Sequence, residues 1–186
     1  MKNTLSTAIA ILLFATAVSA QNSSIFGTVF KLDNDLPLEG VTIKLFLGDT
    51  LLDELDTDIN GEYAFADLAV GETYRVECIY ETANPLDGVS TLDIVLLSKH
   101  ILGIDPLPTP FHMVSADVNN SGNVSVSDIV KLRKVILGVD SPFEEPWIFL
   151  PISYDFGFGT TDLSAIQLLN QTVNIDIYAI KKGDVD

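Results

Sequence analysis

The sequence D-V-N-N-S-G-N-V-S-V-S-D, residues 117–128, carries side-chain oxygens at its first, third, fifth and twelfth positions. These residues are Asp117, Asn119, Ser121 and Asp128. Gly122 at the sixth position permits a sharp turn, and Asn123 at the seventh offers its backbone carbonyl. Ca²⁺ binds six to eight oxygens at about 2.3–2.6 Å, and a twelve-residue loop supplies them by folding around the ion. The stretch predicts a calcium loop; the alternative is an Asn- and Ser-rich turn before an amphipathic helix.

The loop is followed by I-V-K-L-R-K-V-I-L-G, residues 129–138, whose apolar residues recur three and four apart, as on one helix face. A related stretch, G-V-S-T-L-D-I-V-L-L-S-K-H-I-L-G, occupies residues 88–103. Asp93 aligns with Asp128 at an offset of 35 residues. Because neither unit can bury its apolar face alone, we expect the two helices to pack on each other.

This pair resembles a type I dockerin module, in which D-V-N-x-x-G-x-V begins a calcium repeat and I-L-G ends it. The resemblance covers roughly a third of the chain, and the first repeat has Ala83 and Pro85 where ligands belong. It implies a non-catalytic module that docks onto a cohesin partner in secreted polysaccharide-degrading or cell-surface assemblies. The implied contact residues are Val126, Ser127, Arg133 and Lys134 in the second repeat and Thr91, Leu92, Ser98 and Lys99 in the first. The alternative for these residues is an ordinary solvated helix face.

The first loop keeps only its second half, in which Asp87 and Asp93 fit ligand positions. The chain also contains G-D-V-D at residues 183–186, which reads as the start of such a repeat. We therefore predict a split site, in which a strand over residues 173–182 brings Asp184 and Asp186 to Asp87 and Asp93. Ca²⁺ would offset the repulsion between these carboxylates. The alternative is a frayed acidic tail or the start of a third repeat.

Residues 1–20 predict a secretory signal peptide, because Lys2 precedes a short apolar run that ends in V-S-A. The alternative is an uncleaved anchor. Residues 22–82 contain short runs of alternating polarity separated by turn signals such as Asn60-Gly61, and they predict an antiparallel Greek-key β-sandwich. The phrases P-L-E-G-V-T-I and T-D-I-N-G-E-Y-A-F-A-D-L resemble carboxypeptidase regulatory-like modules and Cna B-type repeats. That resemblance implies a spacer or adhesive stalk unit.

The predicted fold class is α+β with several domains. After the sandwich, residues 83–140 are expected to form a dockerin-like, EF-hand-like domain of two helices, and residues 141–186 a β-rich extension. Three prolines predict a non-helical linker over residues 104–114. Trp147, Phe149, Phe156 and Phe158 are expected to pack in a core, with an exposed strip for sugar stacking as the alternative. We expect Ca²⁺ to stabilise residues 83–140 and not the sandwich.

The formal net charge of −16 argues against nucleic acid or an anionic membrane as a partner. After signal cleavage we expect no membrane insertion, since no later stretch is apolar over a sufficient length. The single cysteine, Cys78, leaves no internal disulfide, and its place on an apolar strand face predicts an inert thiol. The sequence holds no nucleophile elbow, zinc spacing or phosphate loop, so we expect no enzyme.

These observations predict a secreted or cell-surface, non-catalytic, Ca²⁺-binding assembly module. Its expected partner is a cohesin-like or other surface protein, in polysaccharide breakdown or cell-surface assembly. One alternative is a carbohydrate-binding or adhesive surface protein in which Ca²⁺ is purely structural and a polysaccharide is the ligand. Another is a fragment of a secreted glycoside hydrolase.

Overall fold

The computed structural model describes residues 23–82, 84–156, 163, 166–168 and 172–186, so the predicted signal peptide and Phe158 lie outside it. Within these ranges the protein is α+β, with two β-sheets and three helices. Strands β1 to β5 span Ser23–Lys31, Thr42–Leu47, Thr50–Asp56, Glu62–Leu68 and Thr73–Ile79. Helices α1 to α3 span Thr91–Ile101, Pro110–Ala116 and Val126–Ile136. Strands β6 to β9 span Trp147–Pro151, Ile166–Gln167, Val173–Asn174 and Ile177–Lys181. None of the described helices has the length and apolarity to cross a membrane.

The two sheets pack face to face as a sandwich around one apolar core. One sheet has the order β4-β1-β9-β6, with β8 also paired to β1, and the other has the order β3-β2-β5-β7. The alternation predicted for the first five strands sets the core-facing side, since Ile43 and Leu45 of β2 and Phe65 of β4 are almost fully buried. Trp147 and Phe149 are half-buried and pack against this core, as does Cys78.

The sequence predicted that residues 141–186 form a separate β-rich extension. In the structure, the strands of these residues instead belong to the two sheets of the sandwich. Strands β8 and β9 pair with β1, and β6 pairs with β9. The pairing of β1 with β8 and β9 is parallel, which differs from the expected purely antiparallel sandwich. Parallel strands require a long connection, and residues 32–172, which include β2 to β7 and the three helices, connect β1 with β8.

The helices form a second apolar core. Its fully or nearly fully buried members are Leu97, Ala116, Val118, Leu132, Val135, Phe143 and Val185. Leu97 of α1 and Leu132 of α3, which the repeat aligns, are both 0% exposed, so the predicted packing face is the one used. We refer to α1 and α3 together as the helix pair.

The prediction of a non-helical linker was wrong for residues 110–116, which form α2. Pro110 is the first residue of this helix. A proline is tolerated there because the missing N–H would have no partner within the helix in any case. The expected two-helix region therefore contains a third, short helix.

Candidate metal centre

Helices α1 and α3 begin with the same polar arrangement. Ser90 and Ser125 are the N-cap residues, and Asp93 and Asp128 complete capping boxes three residues later. Asp93 Oδ2 accepts the Ser90 N–H at 2.6 Å, and Asp128 Oδ2 accepts the Ser125 N–H at 2.9 Å. Both aspartates are 0% exposed, so each presents a buried carboxylate at a helix N-terminus.

The last strand delivers two more carboxylates to Asp93. Residues 182–186, which we name the closing segment, follow β9 and turn at Gly183, whose φ is +86°. The N–H of Val185 donates to Asp93 Oδ1 at 2.8 Å. One oxygen from each of Asp93, Asp184 and Asp186 lies within 4.8 Å of the others. We name these three residues the acidic cluster.

The closing segment repeats the sequence pattern of the loop before α3. Asp184, Val185 and Asp186 read D-V-D, as residues 117–119 read D-V-N. Val118 and Val185 are 4% and 3% exposed and share the core of the helix pair. The closing segment thus lies beside α1 much as residues 117–119 lie beside α3, although residues 102–181 separate it from α1 along the chain.

The acidic cluster is incompletely satisfied, although the charge of Lys181 attracts the Asp184 carboxylate. Asp184 Oδ1 is buried and has no hydrogen-bond partner among the residues that the structure describes. Burial, a hydrogen bond with the Asp186 carboxyl and the nearby charge of Asp93 raise the pKa of Asp184 to about 7. Burial also raises the pKa of Asp93, although the Val185 and Ser90 N–H groups act in the opposite direction. Converging carboxylates of this kind require either a shared proton or a cation.

The backbone at Gly88 makes room for Asp184. Gly88 has φ +87°, and a Cβ built on it would clash with the Asp184 carboxylate. A glycine is therefore required here both by conformation and by space. Asp87, the fourth residue of the predicted split site, is not part of the acidic cluster among the described residues. It lines a cavity next to Asp184 instead.

That cavity has a volume of about 220 Å³ and is bordered by buried polar groups. Its lining includes Asp33, Asp87, Trp147, Lys181 and Asp184. Lys181 Nζ, Trp147 Nε1 and Asp184 Oδ1 are buried without a hydrogen-bond partner in the described ranges of the chain. Burial lowers the pKa of Lys181, whose Nζ lies 4.6 Å from the centroid of the Trp147 ring. The cavity is polar and large enough to hold ordered water between these groups.

The predicted loop at residues 117–128 folds back on itself. The Asp117 carboxylate accepts the N–H groups of Ser121 at 2.9 Å and Gly122 at 2.6 Å. Gly122 takes the left-handed conformation, with φ +83°. The Ser121 hydroxyl donates to the carbonyl of Asn123 at 3.0 Å.

At the other end of the loop, the Asn119 N–H lies 3.3 Å from Asp128 Oδ1. Short contacts therefore join Asp117, Ser121 and Asn123 in one group, and Asn119 with Asp128 in another. Only two of them are carboxylates, and their remaining lone pairs are available to a cation.

The residues implied as partner contacts lie mainly on the exposed side of the helix pair. Val126 is 62% and Leu92 is 49% exposed, and Arg133 is also exposed. Lys99 pairs with Asp105 at 3.5 Å, whereas the Ser98 hydroxyl donates to a carbonyl within α1. Three further exposed apolar pairs that the repeat relates were not expected from the sequence: Val95 with Val130, Leu102 with Leu137, and Ile104 with Val139.

Comparisons with known proteins give distant structural similarity and no match in sequence. No known family profile matches the chain, and no curated protein matches it. Among solved structures, it is similar to GBS52, the minor pilin of the gram-positive pathogen Streptococcus agalactiae, with 11% identity and a TM-score of 0.36. The match covers 87% of this chain and 45% of the pilin chain, so this chain spans less than half of that structure. The similarity is too distant to carry a functional argument, and the dockerin resemblance gains no support from these comparisons.

Proposed function

We propose that this chain is a secreted, non-catalytic module that binds Ca²⁺. The ion would stabilise the conformation of the surface through which the module binds a partner protein. The observation that carries the proposal is the convergence of Asp93, Asp184 and Asp186, with a buried oxygen on Asp184 that no described residue satisfies. Three carboxylates close together repel one another, and a hard divalent cation offsets that repulsion.

Calcium is the ion that these donors fit best. The donor atoms are carboxylate, amide, hydroxyl and carbonyl oxygens, with no histidine or thiolate among them. Ca²⁺ accepts irregular shells of six to eight oxygens, whereas Mg²⁺ demands near-octahedral geometry and shorter bonds. The acidic cluster would supply the first site, with Asp87 close by. Asp117, Asn119, Ser121, Asn123 and Asp128 would supply a second site at the start of α3.

The proposed partner is a cohesin-like or other surface protein that binds the exposed side of the helix pair. The repeat-related apolar residues, which are exposed in or directly after these helices, and the exposed Arg133 and Lys134 support this surface, because exposed apolar side chains favour contact with a partner. Secretion is proposed from the signal-peptide pattern at residues 1–20. A pull-down from secreted and surface proteins, with and without chelator, tests the proposal, and a partner that binds equally well in chelator would contradict it.

Calorimetric titration of the full chain with Ca²⁺ tests the metal sites directly. We expect two equivalents for the parent chain, one for Asp186→Asn and one for Asp128→Asn. Asp49→Asn is the matched control, because Asp49 is an exposed acid in the turn between β2 and β3. Unchanged stoichiometry and affinity in Asp186→Asn would show that the acidic cluster is not a calcium site.

A second candidate function is carbohydrate binding or adhesion. An open groove of about 930 Å³ between β5 and β6 is lined by Tyr80, Trp147 and Phe149, with several glutamates at its sides. Aromatic rings and carboxylates together can stack on and hydrogen-bond to sugars. A polysaccharide panel read by fluorescence of Trp147, the single tryptophan, would distinguish this function from protein docking.

A further inference from the structure

The closing segment is held on both sides, by the sandwich and by the helices. It continues β9, which lies between β1 and β6 in the sheet. The Gly183 N–H donates to the Ser115 carbonyl of α2 at 2.9 Å. Ser115 Oγ lies 2.6 Å from the carbonyl oxygens of both Lys181 and Asp184, and either carbonyl can accept its single proton. Ser115 is itself 0% exposed, which makes this contact a buried junction.

Beyond that junction, the closing segment enters the core of the helix pair. Val185 is 3% exposed and packs in the cluster that contains Leu97 and Leu132. A Cβ on Gly183 would lie only 2.9 Å from Leu132 Cδ1, so the backbone itself is in contact with the α3 side chain. The Val185 N–H then fixes Asp93 at the start of α1. A single short segment therefore contacts β9, α1, α2 and α3.

Resting on the Ca²⁺ binding proposed above, we propose that the ion at the acidic cluster joins the sandwich and the helix pair into one cooperative unit. Two of its ligands, Asp184 and Asp186, are covalently continuous with the central part of one sheet. The third, Asp93, is the capping residue of α1. Because the ligands come from both the sandwich and the helix pair, the ion can bind all of them only when the sandwich and the helix pair are in contact.

Removal of the ion would weaken the same junction. Asp184 and Asp186 then repel each other and Asp93, and this repulsion favours release of the closing segment. Release would take Val185 out of the apolar core and uncover Leu132 and Phe143. It would also remove the contact that holds the end of β9 against α2. This proposal differs from the expectation that Ca²⁺ stabilises residues 83–140 and not the sandwich, because it predicts that both parts are stabilised.

Unfolding of the sandwich and unfolding of the helices can each be followed by a separate spectroscopic signal. Trp147, the single tryptophan, lies in β6 and pairs with Lys181 of β9, so the thermal midpoint of its fluorescence reports on the sandwich. The helical band of circular dichroism reports on the helices, since the sandwich contributes strands only. Melting of the full chain in chelator and in excess Ca²⁺ then compares the two parts in one sample.

We expect Ca²⁺ at a hundredfold excess over Kd to raise both midpoints together, by roughly 5–10 °C. In Asp186→Asn, the calcium-dependent rise of the Trp147 midpoint should be lost. In Asp128→Asn it should persist, because that residue belongs to the loop at α3. Asp49→Asn, the exposed control, should behave as the parent chain.

The outcomes separate this proposal from the one on which it rests. If calorimetry shows that Asp186→Asn loses one Ca²⁺ equivalent while Ca²⁺ raises only the helical midpoint of the parent chain, coupling is wrong and metal binding stands. If Asp186→Asn retains every equivalent, the metal site itself is wrong. The comparison of the parent chain in chelator and in Ca²⁺ needs no variant, so a poorly folding mutant does not prevent the test.

Discussion

Asp93 and Asp128 show how one residue type serves two purposes at a helix start. In each, one carboxylate oxygen caps the helix by accepting the N–H of the preceding serine. The other oxygen accepts an N–H from the segment that carries the remaining proposed ligands, at Val185 or Asn119. Capping alone accounts for the first contact but not for the second. The second contact places the cap residue within reach of other oxygen donors, and this gives each aspartate its proposed metal role.

Asp184 makes the Ca²⁺-free protein sensitive to pH. Its pKa is raised to about 7 in the folded chain, whereas the pKa of an aspartate in an unfolded chain is about 3.9. The folded state therefore binds this proton more tightly. The stabilisation is complete below the unfolded pKa and is lost as pH rises through about 7. In chelator, we expect the melting temperature to fall between about pH 5 and pH 8, and Asp184→Asn to reduce that fall.

The comparison between the parent chain and Asp184→Asn isolates the acidic cluster, because the carboxylates outside that cluster contribute equally to both proteins. Saturating Ca²⁺ should also remove the fall, because the ion replaces the proton. A Ca²⁺-free parent chain that becomes more stable than the variant as pH rises would contradict the assignment.

Among the elements, the turn that leads from β9 into the helix pair is constrained both by its backbone conformation and by its packing. Gly183 has φ +86°, and a methyl group placed on it would meet Leu132. Gly138, after α3, has φ +67°, and a methyl group there would have no described atom within 4 Å. The two glycines therefore share a conformational requirement and differ in available space.

We expect Gly138→Ala to cost about 1 kcal/mol, the usual penalty for a side chain in the left-handed region. Gly183→Ala should cost roughly 1–3 kcal/mol more, because its methyl group must displace Leu132 from a packed core. Urea unfolding measures both losses in the free energy of unfolding, provided that its slope against urea concentration is the same in each protein. Equal losses would mean that the closing segment is not packed in the helix pair as described.

Most of the helices and strands could be predicted from the sequence, because they follow from the local periodicity of apolar residues. Alternating polarity identified the strands of residues 22–82, and the spacing of Leu132 and its neighbours identified α3. Helix α2 was missed because Pro110 was taken as a helix breaker, although it occupies a first turn. The parallel pairing of β9 with β1 was not predictable, since it depends on contacts between distant residues rather than on local pattern.

The candidate site was predictable to a similar degree. The D-V-D pattern at residues 184–186 pointed to Asp93, and the structure places both acids of that pattern beside it. Asp87 was assigned by counting along a loop that is one residue short, and it lies outside the acidic cluster. The buried polar atoms of Lys181 and Trp147 have no sequence signal, because their burial follows from the tertiary arrangement of β6 and β9.

For the molecule as a whole, the closing segment makes a few residues responsible for a large part of the architecture. Deletion of residues 183–186 removes two proposed ligands and the buried Val185. We expect calorimetry to show the loss of one of two Ca²⁺ equivalents, with the loop at residues 117–128 still occupied. We also expect a rise in the fluorescence of an apolar dye, because Leu132 and Phe143 become exposed. Two retained equivalents, or no change in dye binding, would contradict this account.

The parallel pairing of β1 with β9 also has a consequence for the order of folding. Thr28 in β1 is hydrogen-bonded to Asp176, 148 residues away, just before β9. Contacts of such separation form late, since a long loop must close before they contribute. During synthesis, one edge of β1 therefore remains unpaired until the ribosome has produced almost all of the described chain, including β8 and β9. An exposed strand edge is prone to pairing with other chains, so we expect intermolecular association of the nascent chain to be favoured until β8 and β9 cover this edge.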